Sequence, residues 1–500
     1  MLITERSALP SALYLAEQVR QLDKTAIEAF HIPGSVLMER AGTAAFKYMR
    51  TCWPKAQKIL VLCGTGNNGG DGFVVARLAI EAGLDVQVHQ LGDPTKITGD
   101  AKTHADRYSA VGGQCMPYNQ LSEMADLIVD AVLGTGLERD VTGVWAEALT
   151  AINRHKAAVF SLDIPSGLNS DSGKIMGCAV AADATISFIG LKRGMFTGAG
   201  PVTCGELVFD NLDIPEAIYD TVPSTCHRWQ WRDYAKQLKP RSRTQHKGES
   251  GHLLLIGGDQ GLLGAISMAG QAAARTGAGL VTIATRPVHA ALIASTHPEL
   301  MCHGVETAEA LSPLLERADA VVIGPGLGQA AWGASMLGRV MESSLPVVMD
   351  ADALNLLSME PEAMDNWVLT PHPGEAARLL GCSVTAVQED RFSSVAELHR
   401  RYGGVVLLKG AGTLVFGHED EFVGLCDEGN PGMAVGGMGD ILSGVIGSLI
   451  VQGETLQRAA GMGACLHGEA GDLASAEGEK GMLATDLLPC LRRLMNPECR

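Results

Sequence analysis

The sequence predicts two α/β domains in one chain, each built on a mostly parallel sheet. Three observations lead there. Short apolar runs of strand length alternate with helix-length stretches over most of the 500 residues. The alternation stops after Ile214-Pro215 and starts afresh at Leu253. The length also exceeds what one hydrophobic core serves, since cores stop growing at about 250–300 residues.

In the first half, residues 58–62 read as a buried strand, 71–83 as a helix and 86–91 as the next strand. Residues 127–130 and 159–163 are two more strands, each ending in an aspartate. Residues 222–251 are polar, basic and rich in proline and tryptophan, which sets the seam. The expected organisation is a domain over 1–220, a linker over 221–245 and a second domain over 246–500. In the second domain, 253–256, 281–283, 321–323, 347–349 and 405–408 read as strands. Residues 262–276 form a small-residue helix there, and 441–451 an apolar one. The two halves do not repeat one another.

Hydrophobic residues make up 46% and charged residues 19%, the balance of a folded chain. The 60 glycines favour tight turns and close backbone approach to ligands. A net charge of −17 and 5% aromatics argue against nucleic acid. The short basic run from Lys239 to Arg243 reads as solvated linker. The start, Met1 to Leu13, has no signal-peptide pattern, and no stretch approaches the roughly 18 apolar residues of a membrane span. The 12 cysteines are scattered, without a Cys-x-x-Cys pair, as expected of reduced, mostly buried thiols in a cytoplasmic protein without a zinc site.

The strongest local signal is Gly64-Thr65-Gly66-Asn67-Asn68-Gly69-Gly70-Asp71-Gly72, after a strand and before a helix. Glycines let backbone approach a phosphate, and a helix N-terminus offers free N–H groups to it. A plain tight turn explains such a run as well. An ordinary dinucleotide fold puts an acid at the end of the second strand to hold the ribose. Here that strand ends His89-Gln90-Leu91, so an ordinary dehydrogenase is excluded. Asn67, Asn68 and Asp71 instead bring oxygen atoms suited to a hard cation and a polar ligand. Asp130 precedes Gly134-Thr135-Gly136-Leu137, and Asp163 begins Asp163-Ile164-Pro165-Ser166-Gly167. Each acid alone reads as a cap or turn residue. Parallel strands share one carboxyl edge, so Asn68, Asp130, Asp163 and Ser166 can converge there.

These segments, in this order, resemble the NAD(P)H-hydrate epimerase family over residues 9–215. The resemblance implies a Rossmann-like three-layer domain. It implies that Asn67, Asn68, Gly69, Gly70 and Asp71 contact the hydrated nucleotide, with Gly134, Thr135, Gly136, Leu137, Glu138, Arg139 and Asp140. It implies potassium held by Asn68, Asp130 and Ser166, and Asp163 as acid–base beside the reacting ring.

In the second half, residues 430–440 form a glycine-rich loop running into the apolar helix. Backbone N–H groups at such a place make an anion hole, and Asp440 sits at the helix start, where the macrodipole favours its charged form. A carboxylate beside an anion hole can take a proton from a hydroxyl while the hole holds a transferring phosphoryl group. The plain alternative is an N-cap aspartate behind a flexible loop. Lys409-Gly410-Ala411-Gly412-Thr413 follows a strand and reads as a nucleotide-phosphate loop, though not a Walker loop. Gly324-Pro325-Gly326, Asp350-Ala351-Asp352 and Thr370-Pro371-His372-Pro373-Gly374-Glu375 end three further strands. A lone His372 is more often packed than in contact with ligand, but its place between two prolines singles it out.

This set resembles the ribokinase-like superfamily, and within it the ADP-dependent NAD(P)H-hydrate dehydratases, from about Arg243 onward. The resemblance implies a ribokinase-like α/β domain. Ala265, Gly326 and His372 would contact the hydrated dinucleotide, and Lys409 to Thr413 with Gly439 the adenine nucleotide. Asp440 would act as base, with magnesium neutralising the diphosphate. Together the halves resemble the bifunctional NAD(P)H-hydrate repair enzymes. The expected small molecules are therefore NADHX, NADPHX and ADP, and a homo-oligomer is expected. ADP against ATP stays open on physical grounds, as does preference between the NADH and NADPH hydrates. So does whether the helix over 264–278 packs within the domain or between subunits. A small-molecule kinase and a non-catalytic nucleotide-binding module are the rival readings.

Overall fold

In the computed structural model the chain divides into two compact units, residues 1–227 and 228–500. The described residues are 2–121, 123–244, 246–419 and 422–496, so the expected domain limits at 1, 245 and 500 lie outside them. No helix among the described residues is long and apolar enough to cross a membrane.

The first unit is built on an eight-stranded sheet. In space the order is Leu2–Ile3, Glu206–Asp210, Ala184–Phe188, Ala158–Leu162, Leu127–Ala131, Lys58–Cys63, Asp85–Gln90, Cys115–Pro117. Only the edge strand Leu2–Ile3 runs antiparallel to its neighbour. Side chains alternate across the pleat. Ile59, Val61 and Cys63 enter one core, shared with residues of the helices Gly34–Cys52 and Asn67–Glu81. Leu60 and Leu62 enter the other, shared with Gly143–Arg154. The result is the three-layer arrangement, and each fully buried aliphatic side chain contributes about 1.5–3 kcal/mol. From Lys58–Cys63 the chain pairs Asp85–Gln90 on one side and Leu127–Ala131 on the other. That reversal opens a crevice at the carboxyl ends of these strands.

The helix expected at 71–83 begins earlier, at Asn67. Glycine's low helix propensity makes 64–72 look like a loop, but packing overrides it. A Cβ on Gly69 would sit 2.1 Å from the Gly64 carbonyl, and one on Gly70 2.5 Å from Met38 Sδ. The glycines serve close approach inside a helix, and Asn67 to Asp71 are its first turns.

The second unit's sheet runs Met301–Gly304, Leu280–Thr285, His252–Ile256, Ala320–Ile323, Val347–Met349, Trp367–Leu369, Val405–Leu408, Thr413–Phe416, Val423–Cys426. The first seven strands are parallel and the last two antiparallel. Leu253, Leu255, Val322 and Val348 share a core with the helices Leu263–Thr276, Met438–Val451, Leu456–Ala474 and Leu487–Leu494. The small-residue helix packs within the unit: a Cβ on Gly444 would lie 2.1 Å from the Ala269 carbonyl. The apolar helix expected at 441–451 starts at Met438, which puts Asp440 in its first turn. The stretch expected as linker carries a strand, Cys226–Trp229, and a short helix, Trp231–Ala235. Both Glu428 carboxylate oxygens accept from the Trp231 N–H, at 2.9 and 3.0 Å. That glutamate lies with the thiols of Cys426 and Cys465, an association of two cysteines that sequence spacing does not show. The described cysteines are free thiols; Cys52, Cys115 and Cys382 are exposed.

Candidate functional site

At the carboxyl edge of the first sheet lies a cavity of about 880 Å³. Asn67, Asn68, Asp71, Gly134, Thr135, Gly136, Leu137, Glu138, Arg139 and Asp163 line it. Gly69 and Gly70 are buried in the helix beneath, and Asp140 is exposed and not part of the wall.

Asp163 stands one residue past its strand with φ 65°, a left-handed conformation that asparagine and aspartate tolerate better than most residues. Its carboxylate accepts from the ammonium of Lys192, whose side chain is fully buried. Lys192 also donates to Ser187 Oγ at 2.9 Å. Sequence reasoning missed Lys192, because residue 192 comes beside 163 only once Ala158–Leu162 pairs with Ala184–Phe188 and the Lys192 side chain reaches back to the end of the latter strand. It also missed Asp23 and Asp100, which line the cavity. Burial pushes the Asp23 carboxyl up to about 7; Asp163 adds to the rise and Lys192 opposes it. Burial, then Asp163 and Asp23, holds Asp71 well above the ordinary carboxyl range.

Asp130 and Ser166 lie fully buried behind the wall. Asp130 accepts from Ser161 Oγ at 2.8 Å, Ser166 N at 2.8 Å and Ser166 Oγ at 2.5 Å. Asn68 Nδ2 donates to the Leu133 carbonyl at 2.9 Å, and the Leu133 N–H donates to Ser166 Oγ at 2.8 Å. Asn68 Oδ1 is buried and has no hydrogen-bond partner among the described residues. An orphaned amide oxygen beside a buried carboxylate, a hydroxyl and a carbonyl is a donor set that could hold a hard cation. Burial raises the Asp130 carboxyl and the two serines oppose it; a bound cation would favour the charged form.

In the second unit, Gly437 at φ 94° is the N-cap of Met438–Val451, a conformation suited to glycine. Asp440 follows in the first turn. Burial pushes its carboxyl up to about 7, Asp350 adds to that, and Lys409 opposes it. Lys409 Nζ lies 2.7 Å from Asp350 Oδ1 and 3.8 Å from Glu375 Oε2. Ser443 Oγ donates to the other Asp350 oxygen at 2.8 Å. A Cβ on Gly439 would meet Lys409 Nζ at 3.1 Å, so the Lys409 loop and the glycine-led helix start adjoin. Gly326, at φ 60°, faces Ala265: its Cβ would lie 3.3 Å from that of Ala265.

His372 caps the helix Pro373–Leu380, with Nδ1 accepting from Gly374 N at 2.9 Å and Glu375 N at 3.3 Å. Its ring is half exposed, and burial with Lys409 and Arg378 lowers its pKa, keeping it neutral as the cap requires. Packing and ligand contact are therefore compatible roles here. Arg391 was not apparent from sequence. It is buried and donates to the carbonyls of Leu408, Lys409 and Gly412 at 3.1, 3.2 and 3.3 Å, fixing the Lys409–Thr413 loop from below.

The chain is 48% identical over 489 residues to a bifunctional NAD(P)H-hydrate repair enzyme, Nnr, of Coxiella burnetii, covering 97% of this chain and all of that one. It is 44% identical to the Escherichia coli Nnr, covering 98% of this chain and 95% of that protein. This chain belongs to the bifunctional NAD(P)H-hydrate repair enzymes. The family model described as NAD(P)H-hydrate dehydratase matches residues 253–493, inside the second unit. The YjeF-related N-terminal model matches residues 34–194, inside the first. Within the repair-enzyme family the dehydratase thus belongs to the second unit and the epimerase to the first. The ribokinase-like fold is shared with a solved ribokinase-like superfamily protein of Enterococcus faecalis at 28% identity and TM-score 0.50, covering 55% of this chain and 96% of that one. A hypothetical protein of Streptococcus mutans matches at 30% identity and TM-score 0.50, covering 54% of this chain and 99% of that one.

For this repair-enzyme chain Arg391 gives a direct test of the loop. Arg391→Met leaves the Leu408, Lys409 and Gly412 carbonyls short of a donor, which is expected to cost about 2–3 kcal/mol of stability. A lower midpoint in urea is the expected result. A wild-type midpoint would show that the loop holds itself.

Proposed function

We propose that the first unit interconverts the R and S hydrates of NADH and NADPH at Asp163, and that the second dehydrates the S hydrate at the expense of ADP, with Asp440 as base. The single observation that carries this is the placing of Asp440. It is a half-buried carboxyl raised to about 7, in the first turn of a glycine-led helix that adjoins Lys409. A base whose pKa lies near the working pH serves proton transfer best.

In the second unit, Asp440 takes the proton of the ring hydroxyl, and the hydroxyl oxygen attacks the terminal phosphorus of ADP. AMP leaves, carried by Lys409, Gly410, Ala411, Gly412, Thr413 and Gly439. The ring nitrogen's lone pair then expels phosphate, a proton is lost from the neighbouring ring carbon, and the dihydropyridine returns. Ala265, Gly326 and His372 orient the dinucleotide. Magnesium bound with ADP would neutralise diphosphate charge.

In the first unit, Asn67, Asn68 and Asp71 with Gly134 to Arg139 hold the nucleotide, and Gly69 and Gly70 let the helix beneath pack closely. Potassium fits Asn68, Asp130 and Ser166, as the orphaned Asn68 Oδ1 supports, and would supply a fixed positive charge to orient the polar substrate. Asp163, held by Lys192, is the acid–base group at the hydroxyl-bearing carbon.

The test is the product. Incubation of S NADH hydrate with ADP and magnesium should yield NADH, AMP and phosphate in equal amounts. A stable phosphate ester accumulating without NADH would favour the kinase reading, for which this fold also has the parts.

A further inference from the structure

We propose that Asp23 is the second proton-transferring group of the first unit, working with Asp163 from the other side of the hydrated ring, so that water leaves the ring carbon on one face and returns on the other. Asp23 acquires this role only if Asp163 acts at the ring carbon, as proposed above.

The helix Ala16–Glu28 lays Val19, Arg20, Asp23 and Ile27 on the cavity wall, one face of the helix by spacing. Its packing is accounted for by Val19, Leu22 and Ala26, which are buried in the core. A carboxyl at 23 adds nothing to that packing, and it receives no hydrogen bond among the described residues. The capping acids Asp93 and Asp390, by contrast, accept from backbone N–H groups of their own turns. Asp23 instead shares the cavity with Asp71 and Asp163, and its field reaches Asp163 and Lys192. Burial and Asp163 hold its proton to near neutral pH, the range in which one carboxyl can both give and take a proton. Asp163 differs in being an acceptor already engaged by a buried ammonium.

The acidic wall suits a cationic intermediate. In the R to S direction the bond from ring carbon to hydroxyl oxygen breaks, and the oxygen takes the Asp23 proton and departs as water. The ring nitrogen's lone pair forms a double bond to the carbon, and the positive charge lies by the carboxylates of Asp23 and Asp163. A water on the opposite face then adds. Its oxygen bonds the carbon, the double-bond pair returns to nitrogen, and its surplus proton passes to Asp163. One proton has moved from Asp23 to Asp163, and exchange with solvent through the open cavity resets it. The reverse direction swaps the two roles.

The experiment uses the full chain with potassium and without ADP or magnesium, so that the second unit is silent. Pure R or S NADH hydrate is supplied in water labelled with heavy oxygen, and epimerisation and label in each epimer are followed. In the wild type both epimers take up label at the rate of epimerisation. Asp23→Asn and Asp163→Asn each lose epimerisation by about 100-fold or more. Each variant still exchanges label into one epimer, and the two variants retain opposite epimers; that surviving exchange also shows a folded site. Asp23→Glu restores part of the rate. Wild-type epimerisation without label, an Asp23→Asn rate equal to wild type, or loss of exchange into both epimers in Asp23→Asn each overturns the proposal for Asp23. Asp163→Asn epimerising at the wild-type rate would instead overturn the assignment of Asp163 itself.

Discussion

Asp440→Asn is expected to cut ADP-dependent dehydration by about 1,000-fold, within the range general-base catalysis supplies. Asparagine keeps the shape and the place in the first helical turn but cannot accept the hydroxyl proton. Stability should move the other way. The folded chain keeps a proton on Asp440 up to about 7, whereas the unfolded chain releases it near 3.8. Between those values the folded state binds more protons, so stability falls as pH rises through that window. At pH 8 the charged Asp440 therefore lowers stability, and Asp440→Asn removes that cost. A variant more stable than wild type at pH 8 but inactive separates lost chemistry from lost folding. In the wild type, kcat/KM for dehydration should fall about tenfold per unit below pH 7 and level off above it. Full dehydration by Asp440→Asn, or a flat profile, would remove Asp440 as the base.

Asp163→Asn is expected to abolish repair of the R hydrate and to spare the S hydrate completely. The Asn variant is the informative one, because φ 65° is tolerated by asparagine and strained for alanine. Asparagine also keeps an acceptor for Lys192. Asp163→Ala leaves that fully buried ammonium with Ser187 as its remaining side-chain partner, and breaking a buried pair costs about 3–5 kcal/mol. Both variants should fail on R, and only the alanine variant should melt early. An Asp163→Asn enzyme that still clears the R hydrate would show that the acid–base group lies elsewhere in the cavity.

The strands were legible because valine, isoleucine and leucine runs of strand length mark buried parallel sheets almost directly; Val347–Met349 and Val405–Leu408 fall where sequence puts them. The helix start at Asn67 was not, since three glycines in six residues look like loop until Gly64 and Met38 are seen crowding them. Residues at strand ends were legible for the same reason the strands were: Asp130 and Asp163 follow apolar runs. Lys192, Asp23 and Arg391 were hidden because each acts through a partner distant in sequence. Lys192 reaches Asp163 from beyond the neighbouring strand Ala184–Phe188, and Arg391 meets residues 408–412 from the start of its helix. Asp23 lies in an amphipathic helix whose pattern explains its neighbours and says nothing about a cavity. Propensity and periodicity report what a residue does along the chain, and these three are defined by what lies across it.

The most direct measurement is recovery of reduced nicotinamide absorbance from mixed-epimer NADH hydrate with potassium, magnesium and ADP. Complete recovery that depends on ADP is the result expected of an epimerase and a dehydratase in one chain. Recovery that stops at the S fraction would contradict the assignment of the first unit, and no recovery at all would contradict both.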